Sequence, residues 1–234
     1  MTSEEIYAAD KFLEFVDNIK NKQNFSFIRY GDGEWALMLK KNPVYKKAGM
    51  KWGPSILQTG EWMLNHIKQN PGYIIGIQPL ALRHWSDEIL EIVKDYKNLA
   101  NSDTFHKNSI KNNLNLLFDE LKDRHVILVG PAYLRFNLFE YDHIVTPEGS
   151  AWDRIEILKT RINKSIKPDS VVLYSCSIAA KLMIRDLYLK HRENITQIDM
   201  GSVFDPYAGV DSRSYHSDII KRLDIPTVKK VIHK

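Results

Sequence analysis

The chain consists of short apolar runs, each ending at a polar or glycine-bearing turn before a helical pattern. This alternation constrains its fold more than any other feature. The runs are Phe25 to Tyr30, Tyr73 to Ile77, His125 to Val129, His143 to Thr146, Ser170 to Tyr174 and Ile195 to Asp199. Several are apolar at consecutive rather than alternate positions, as in strands buried on both faces. Thr2 and Glu5 form a capping-box pattern ahead of Ile6, Phe12, Leu13, Phe15, Val16 and Ile19, which reads as one amphipathic helix. Pro54 opens a second helix, which ends at Asn70-Pro71-Gly72. Further helices are expected from Pro79 to Tyr96, Ser109 to Lys122, Ala151 to Ile166, and from the Ser175-Cys176-Ser177 turn to Lys190. The expected fold is therefore α/β: a Rossmann-like, mostly parallel sheet with helices on both faces, in one domain over residues 1–234. In such sheets ligands sit outside the carboxyl ends of the strands.

Composition narrows the function classes. With 234 residues, 44% hydrophobic and 26% charged, the chain is long enough to bury a substantial core. The net charge of +4 is spread along the sequence, which admits an anionic ligand but describes no nucleic-acid surface. A single cysteine, Cys176, excludes an internal disulfide and a cysteine-built zinc site, and its apolar setting reads as an inert buried thiol. The acidic start carries no signal-peptide block, and no apolar run approaches the roughly 18 residues of a membrane span. The expectation is a cytoplasmic protein without stable membrane insertion, with homo-oligomer formation left open. The basic end, Lys229 to Lys234, reads as a solvated tail or a last strand.

The chemistry concentrates at Phe25-Ser26-Phe27-Ile28-Arg29-Tyr30-Gly31-Asp32-Gly33-Glu34-Trp35. A strand delivers an arginine, two glycines and two carboxylates into a tight turn before a run of helix formers. A helix N-terminus carries partial positive charge, and glycine lets backbone N–H groups approach a ligand, so the turn suits a phosphate. Asp32 and Glu34 would repel bare pyrophosphate, which makes a divalent cation between them and the ligand the leading reading. Their spacing of two puts both side chains on one side of an extended segment. Arg29, at the end of a buried strand, needs an anionic partner, either those carboxylates or a diphosphate.

Gly31-Asp32-Gly33-Glu34-Trp35-Ala36 also fits a relaxed dinucleotide fingerprint, so an NAD(P)-dependent oxidoreductase is a competing reading. It lacks the acid expected about 20 residues on to hold the ribose. No Asp or Glu occurs between Glu34 and Glu61, and the interval holds lysines instead.

Arg29-Tyr30-Gly31-Asp32-Gly33-Glu34 resembles the signature of the GT-D-fold glycosyltransferases, formerly a family of unknown function, whose Asp-x-Glu element binds the metal of a nucleotide sugar. Later blocks are similar in the same order: Val126 to Pro131, Pro147 to Trp152, Val171 to Tyr188, and Ile198 to Gly201. The resemblance runs from about Phe25 to Tyr215, and the first motif is its specific part. It implies that Asp32 and Glu34 hold Mn²⁺ or Mg²⁺ and that Arg29 meets the diphosphate. The chain departs from the family pattern at Ser150-Ala151, at Ser175-Cys176-Ser177, and at Ser202 and Phe204. The segment Gly201 to Tyr207, with Arg213 to His216, is similar to a subgroup found with polysaccharide synthesis genes.

The reading that follows is a metal-dependent transferase moving a sugar from a nucleotide diphosphate donor, a UDP-sugar first, to a glycan, glycoconjugate or other hydroxyl acceptor. Its alternative is a non-catalytic nucleotide- or metal-binding module of a glycan assembly. Gly31, Gly33, Ser150, Trp152, Ser175, Ser177 and Arg213 are further candidates for holding the nucleotide sugar, through hydroxyl and N–H donors, stacking on a base, or charge. Asp205, Asp211 and His216, in a glycine-containing loop after the last clear strand, are candidates for the base that deprotonates the acceptor. Lys51, Trp52, Arg83 and His84 follow earlier turns, where surface placement is the simpler reading.

Overall fold

The computed structural model describes residues 2–42, 54–69, 72–147, 151, 154–191 and 194–230. The elements in order are α1 (Ser3–Ala8), α2 (Phe12–Lys20), β1 (Ser26–Tyr30), α3 (Asp32–Met38), α4 (Pro54–Lys68), β2 (Ile74–Ile77), α5 (Pro79–Val93), β3 (Leu99–Asn101), α6 (Thr104–Ile110) and α7 (Asn115–Leu121). There follow β4 (Val126–Gly130), β5 (Asp142–Val145), α8 (Ile155–Ser165), β6 (Ser170–Tyr174), α9 (Ile178–His191), β7 (Ile195–Asp199), β8 (Val210–Asp211), α10 (His216–Arg222) and β9 (Lys229–Lys230). Seven strands form a sheet in the order β3-β2-β1-β7-β6-β4-β5. The pairings β1–β2, β2–β3, β4–β5, β4–β6 and β6–β7 are all parallel. The fold is the expected α/β class. Among the described residues no helix is long and apolar enough to cross a membrane.

The chain packs as two compact units, Met1–Lys11 with Phe27–Thr104, and Phe12–Ser26 with Phe105–Lys234. In the first, β3, β2 and β1 lie side by side, and Phe27, Ile28, Tyr30, Ile75 and Ile77 are buried on them. Trp35 of α3 and Leu82 and Ile89 of α5 are buried in the same unit. Each such side chain contributes about 1.5–3 kcal/mol through burial. Gly76 fits this core by size, because a Cβ there would lie 2.7 Å from the Phe27 ring and 2.9 Å from Ser102 Cα.

In the second unit every residue of β4, β6 and β7 is buried, as two-faced strands require. The polar Gln197 on β7 is fully engaged: its Oε1 accepts from Tyr174 Oη (3.0 Å), and its Nε2 donates to Ser26 Oγ (3.1 Å) and Ile184 O (3.2 Å). The Phe15 ring of α2 stacks on Phe25 (4.8 Å) and on Phe105 (5.7 Å). Beyond the main sheet, β8 and β9 form a two-residue parallel pair.

Local structure departs from the sequence reading at four places. The first helix begins with its capping box, Thr2 N–H donating to Glu5 Oε2 (2.6 Å) and Glu5 N–H to Thr2 Oγ1 (3.2 Å), but it divides into α1 and α2. Tertiary bonds hold the break: Asn101 N–H donates to Ala9 O (2.9 Å), and Thr104 Oγ1 donates to Asp10 Oδ1. The helix expected over Ser109 to Lys122 is also two, α6 and α7, because Asn112 turns left-handed at φ 62° and Asn113 N–H returns to Asn108 O. Strand β3 is an addition, and α5 stops at Val93 with Trp85 out of helical geometry at φ −141°.

Candidate functional site

In the first unit, β1 carries Arg29 to the carboxyl end of the sheet and stops at Tyr30. Gly31 is the N-cap of α3, extended at φ −77°, ψ −178°, so Asp32 and Glu34 are the first and third residues of the helix. This corrects the expectation that the pair lies on an extended segment: positions two apart on a helix stand about 200° apart around its axis. Both carboxylates still belong to the mouth of the helix, since helical Cα–Cβ bonds tilt toward the N-terminus. Glu34 Oε2 accepts from Gly31 N–H at 3.1 Å, half of a capping box whose other half glycine has no side chain to make. Asp32 N–H donates to Gln78 Oε1 at 2.5 Å, and Gln78 N–H donates to Tyr30 O at 3.1 Å, so the end of β2 braces the turn.

The two glycines of the motif differ. A Cβ on Gly31 would lie 2.9 Å from Glu34 Oε2, so glycine there is what lets Glu34 fold back. A Cβ on Gly33 would meet nothing within 4 Å, and Gly33 is not among the positive-φ residues. Among the described residues, neither packing nor backbone conformation therefore requires glycine at position 33.

Arg29 finds its partners beyond β3. Its Nε donates to Ser102 O at 2.6 Å, and its Nη2 lies 3.5 Å from Asp103 Oδ1. Asp103 is held in turn by its own N–H to Asn101 Oδ1 (2.9 Å) and by Ser102 Oγ (3.2 Å). Sequence reasoning missed Asp103, because it follows a three-residue strand without a periodic signal. The donor set here is all oxygen, which suits a hard cation such as Mg²⁺ or Mn²⁺. Among the described residues no group of three or more His, Cys, Asp or Glu forms a cage.

In the second unit, β6 ends at the Ser175-Cys176-Ser177 turn. Ser175 N–H donates to Val129 O (2.8 Å), the Ser175 hydroxyl is buried and makes no hydrogen bond among the described residues, and Ser177 is exposed with φ 54°. Beneath the turn, Lys181 Nζ lies 2.8 Å from Asp199 Oδ2 and 3.4 Å from Ser177 O, while Asp199 Oδ1 accepts from Gly201 N–H (3.1 Å). This buried ion pair ties the turn after β6 to the turn after β7. Neither member was singled out in the sequence, where Lys181 reads as one more helical lysine.

Two of the three candidate bases come together. Asp205 accepts from Tyr133 Oη (3.1 Å) on one carboxylate oxygen and from Ser212 Oγ on the other. Ser212 N–H also donates to His216 Nδ1 at 3.3 Å, so Ser212 links the acid to the imidazole. Asp205 is only 4% exposed and His216 fully buried. Burial raises Asp205 above the ordinary carboxylate range, opposed by the hydrogen bonds from Ser212 and Tyr133 and by the charge of Arg213. Asp211, on β8, is half-buried and the only one of the three with appreciable exposure. Arg213 is exposed, its Nε donating to Ser202 Oγ at 3.3 Å. His106 Nε2 lies 3.4 Å from the same hydroxyl. Ser150 and Trp152, with Lys51 and Trp52, lie outside the described residues.

No family model matches the chain, and no curated protein matches it in sequence. A solved structure does: a highly conserved domain of unknown function 1792 with a distinct glycosyltransferase fold. It is 17% identical, with a TM-score of 0.59, over 83% of this chain and 78% of that one. At that identity the likeness establishes a shared fold, and the fold is the GT-D glycosyltransferase type that the Arg29 to Glu34 motif resembles.

Proposed function

We propose that this chain is a metal-dependent glycosyltransferase that moves a sugar from a nucleoside diphosphate donor, uridine diphosphate first, to a hydroxyl of a glycan or glycoconjugate. The observation that carries the reading is the Arg29 to Glu34 turn at the carboxyl end of β1, in a chain with a glycosyltransferase-type fold. Asp32 and Glu34 would hold Mn²⁺ or Mg²⁺. When bound, such an ion neutralises the charge that grows on the departing diphosphate. Arg29, aimed by the Ser102 carbonyl and by Asp103, would turn its guanidinium from Asp103 to phosphate oxygens. The bare Cα of Gly33 lets the diphosphate approach the first-turn N–H groups. Ser175, Ser177 and Arg213 are candidate donors to the nucleotide, and exposure favours Asp211 over Asp205 and His216 as acceptor base.

The test is calorimetric titration of uridine, thymidine and guanosine diphosphate sugars, with Mn²⁺ and with chelator, into the native chain and into Asp32→Ala/Glu34→Ala, followed by an assay for donor turnover. Binding that needs both metal and carboxylates, with turnover, supports the transferase. Binding without turnover makes the chain a nucleotide-binding module. Equal binding with chelator, or binding of none of the donors, overturns the reading.

A further inference from the structure

Arg29 reaches its partners by crossing a neighbouring strand. Its register partner on β2 is Gly76, which puts no side chain in the way, and Gly76 is in turn opposite Ala100 on β3. The guanidinium therefore lands beyond the end of β3, with Nε on Ser102 O at 2.6 Å. That bond sets the direction of the side chain, because it holds the guanidinium at its inner nitrogen.

The contact with Asp103 is of a different kind. Nη2 lies 3.5 Å from Asp103 Oδ1, beyond the roughly 2.7–2.9 Å of a charge-assisted hydrogen bond, and it is single where a guanidinium can make two parallel bonds to a carboxylate. Asp103 is held off by its own anchors. Its N–H donates to Asn101 Oδ1 (2.9 Å), its Oδ1 accepts from Ser102 Oγ (3.2 Å), and its neighbours Ser102 and Thr104 are fully buried. Asn101 is fixed in turn, its N–H on Ala9 O (2.9 Å) and its Nδ2 on Tyr7 O (3.0 Å).

Both side chains keep access to solvent, 15% for Arg29 and 28% for Asp103, so a ligand can reach them. Among the described residues, Nη1 of Arg29 and Oδ2 of Asp103 make no hydrogen bond. The pair is thus loose: a guanidinium aimed by a backbone carbonyl, matched at long range with a carboxylate that the backbone holds in place. A diphosphate that takes Arg29 through two oxygens makes the shorter, paired bonds that Asp103 does not. Until it does so, the chain is only partly open to it, and its apparent affinity falls by the fraction that is open.

We propose that Asp103 is an internal competitor of the donor: it occupies the Arg29 guanidinium in the free chain, yields it when a diphosphate binds, and takes it back when the nucleoside diphosphate leaves. The inference rests on the transferase reading for the identity of the ligand. Its own content is the sign of the effect, since a carboxylate that served to position Arg29 would strengthen binding. The experiment is calorimetric titration of uridine diphosphate, UDP-glucose, UDP-galactose and inorganic pyrophosphate, each with Mg²⁺. The chains are native, Asp103→Asn, Asp103→Ala, Asp103→Glu, Arg29→Gln and Arg29→Gln/Asp103→Asn, with a melting curve for each.

Asp103→Asn keeps an oxygen for Ser102 Oγ and removes the charge, and should bind uridine diphosphate and pyrophosphate about fivefold more tightly than the native chain. Asp103→Ala should do the same, which keeps the test decisive if one of the two variants fails to fold. Asp103→Glu retains the charge and should bind no more tightly than the native chain. In the Arg29→Gln background the gain should vanish. Weaker or unchanged binding by Asp103→Asn and Asp103→Ala would overturn the proposal, as would a gain that survives in Arg29→Gln, which would mark general charge repulsion. Pyrophosphate gained by Asp103→Asn, with no UDP-sugar bound by any chain, would overturn the transferase reading and leave the competitor standing. UDP-sugar binding that is the same in the native chain and Asp103→Asn would do the reverse. No binding of any ligand by any chain would overturn both.

Discussion

Lys181 Nζ lies 2.8 Å from Asp199 Oδ2 with both side chains shut away from solvent, Lys181 at 5% exposure and Asp199 at none. Removing one partner leaves the other charge buried and uncompensated. Lys181→Met is therefore expected to lower unfolding free energy by about 3–5 kcal/mol, while Lys181→Met/Asp199→Leu recovers much of that loss. Urea unfolding of the three chains checks this. A double variant as unstable as the single one would mean that the hydrogen bond from Gly201 to Asp199, not the ion pair, carries the stability.

The two motif glycines should respond in opposite directions. Gly33→Ala replaces an unneeded helical glycine with nothing within 4 Å of the new Cβ, and should stabilise the fold by about 0.5–1 kcal/mol. If the diphosphate approaches that backbone, donor affinity falls in the same variant. Gly31→Ala forces Glu34 off the Gly31 N–H and should cost about 1 kcal/mol. Thermal melts with donor titrations separate the two, and a Gly33→Ala chain with native affinity would remove Gly33 from the binding site.

Asp205 makes stability fall as pH rises. In the unfolded chain it ionises near the ordinary aspartate value of 3.8, whereas burial holds the folded group higher. Its contribution is fully present below 3.8 and is lost as pH climbs through the folded value, because the unfolded state releases the proton first. Asp205→Asn keeps an acceptor for Tyr133 and Ser212 yet cannot ionise. Its urea midpoint, compared with the native chain from pH 3 to 7, should lack this downward component. Parallel profiles would assign the dependence elsewhere.

Cys176 should be silent until the chain unfolds. The thiol is buried and pushed well above its ordinary range by burial, with Asp199 adding to the shift and Lys181 opposing it. Thiol-specific labelling in increasing urea should therefore follow the loss of circular dichroism rather than precede it. Rapid labelling in buffer alone would show that the turn after β6 opens locally.

Long-period and cap signals in the sequence carried through to structure, and short or purely spatial ones did not. Thr2 and Glu5 announce a capping box that forms, and the consecutive apolar residues of β4 and β6 announce strands that are buried throughout. Leu99–Asn101 is too short to stand out, and it becomes a strand only by pairing with Ile75 to Ile77. With it went Asp103, the acid that Arg29 meets. The helix breaks at Ala9 and Asn112 depend on bonds to other elements or on one left-handed residue inside an otherwise periodic run. Tyr133 and Ser212, which hold Asp205, come from loops whose meeting no local pattern records. The Arg29 to Glu34 motif was visible because strand, turn and helix start are contiguous. Its helical geometry was misjudged because Gly31, rather than a residue after Glu34, ends the extended backbone.

The stacking of Phe15 on Phe105 sets an order of events during synthesis. Helix α2 leaves the ribosome early with its near partner Phe25, but its second stacking partner, Phe105, and strands β4 to β7 of its own unit are encoded after Thr104. At ~5–20 residues per second, the part of its apolar face that meets Phe105 waits for several seconds before it can be covered. During that interval the intervening residues Phe27 to Thr104 can pair their own three parallel strands. The first unit is thus placed to mature while the second is still awaiting most of its chain, and the nascent α2 is the segment a chaperone would have reason to shield.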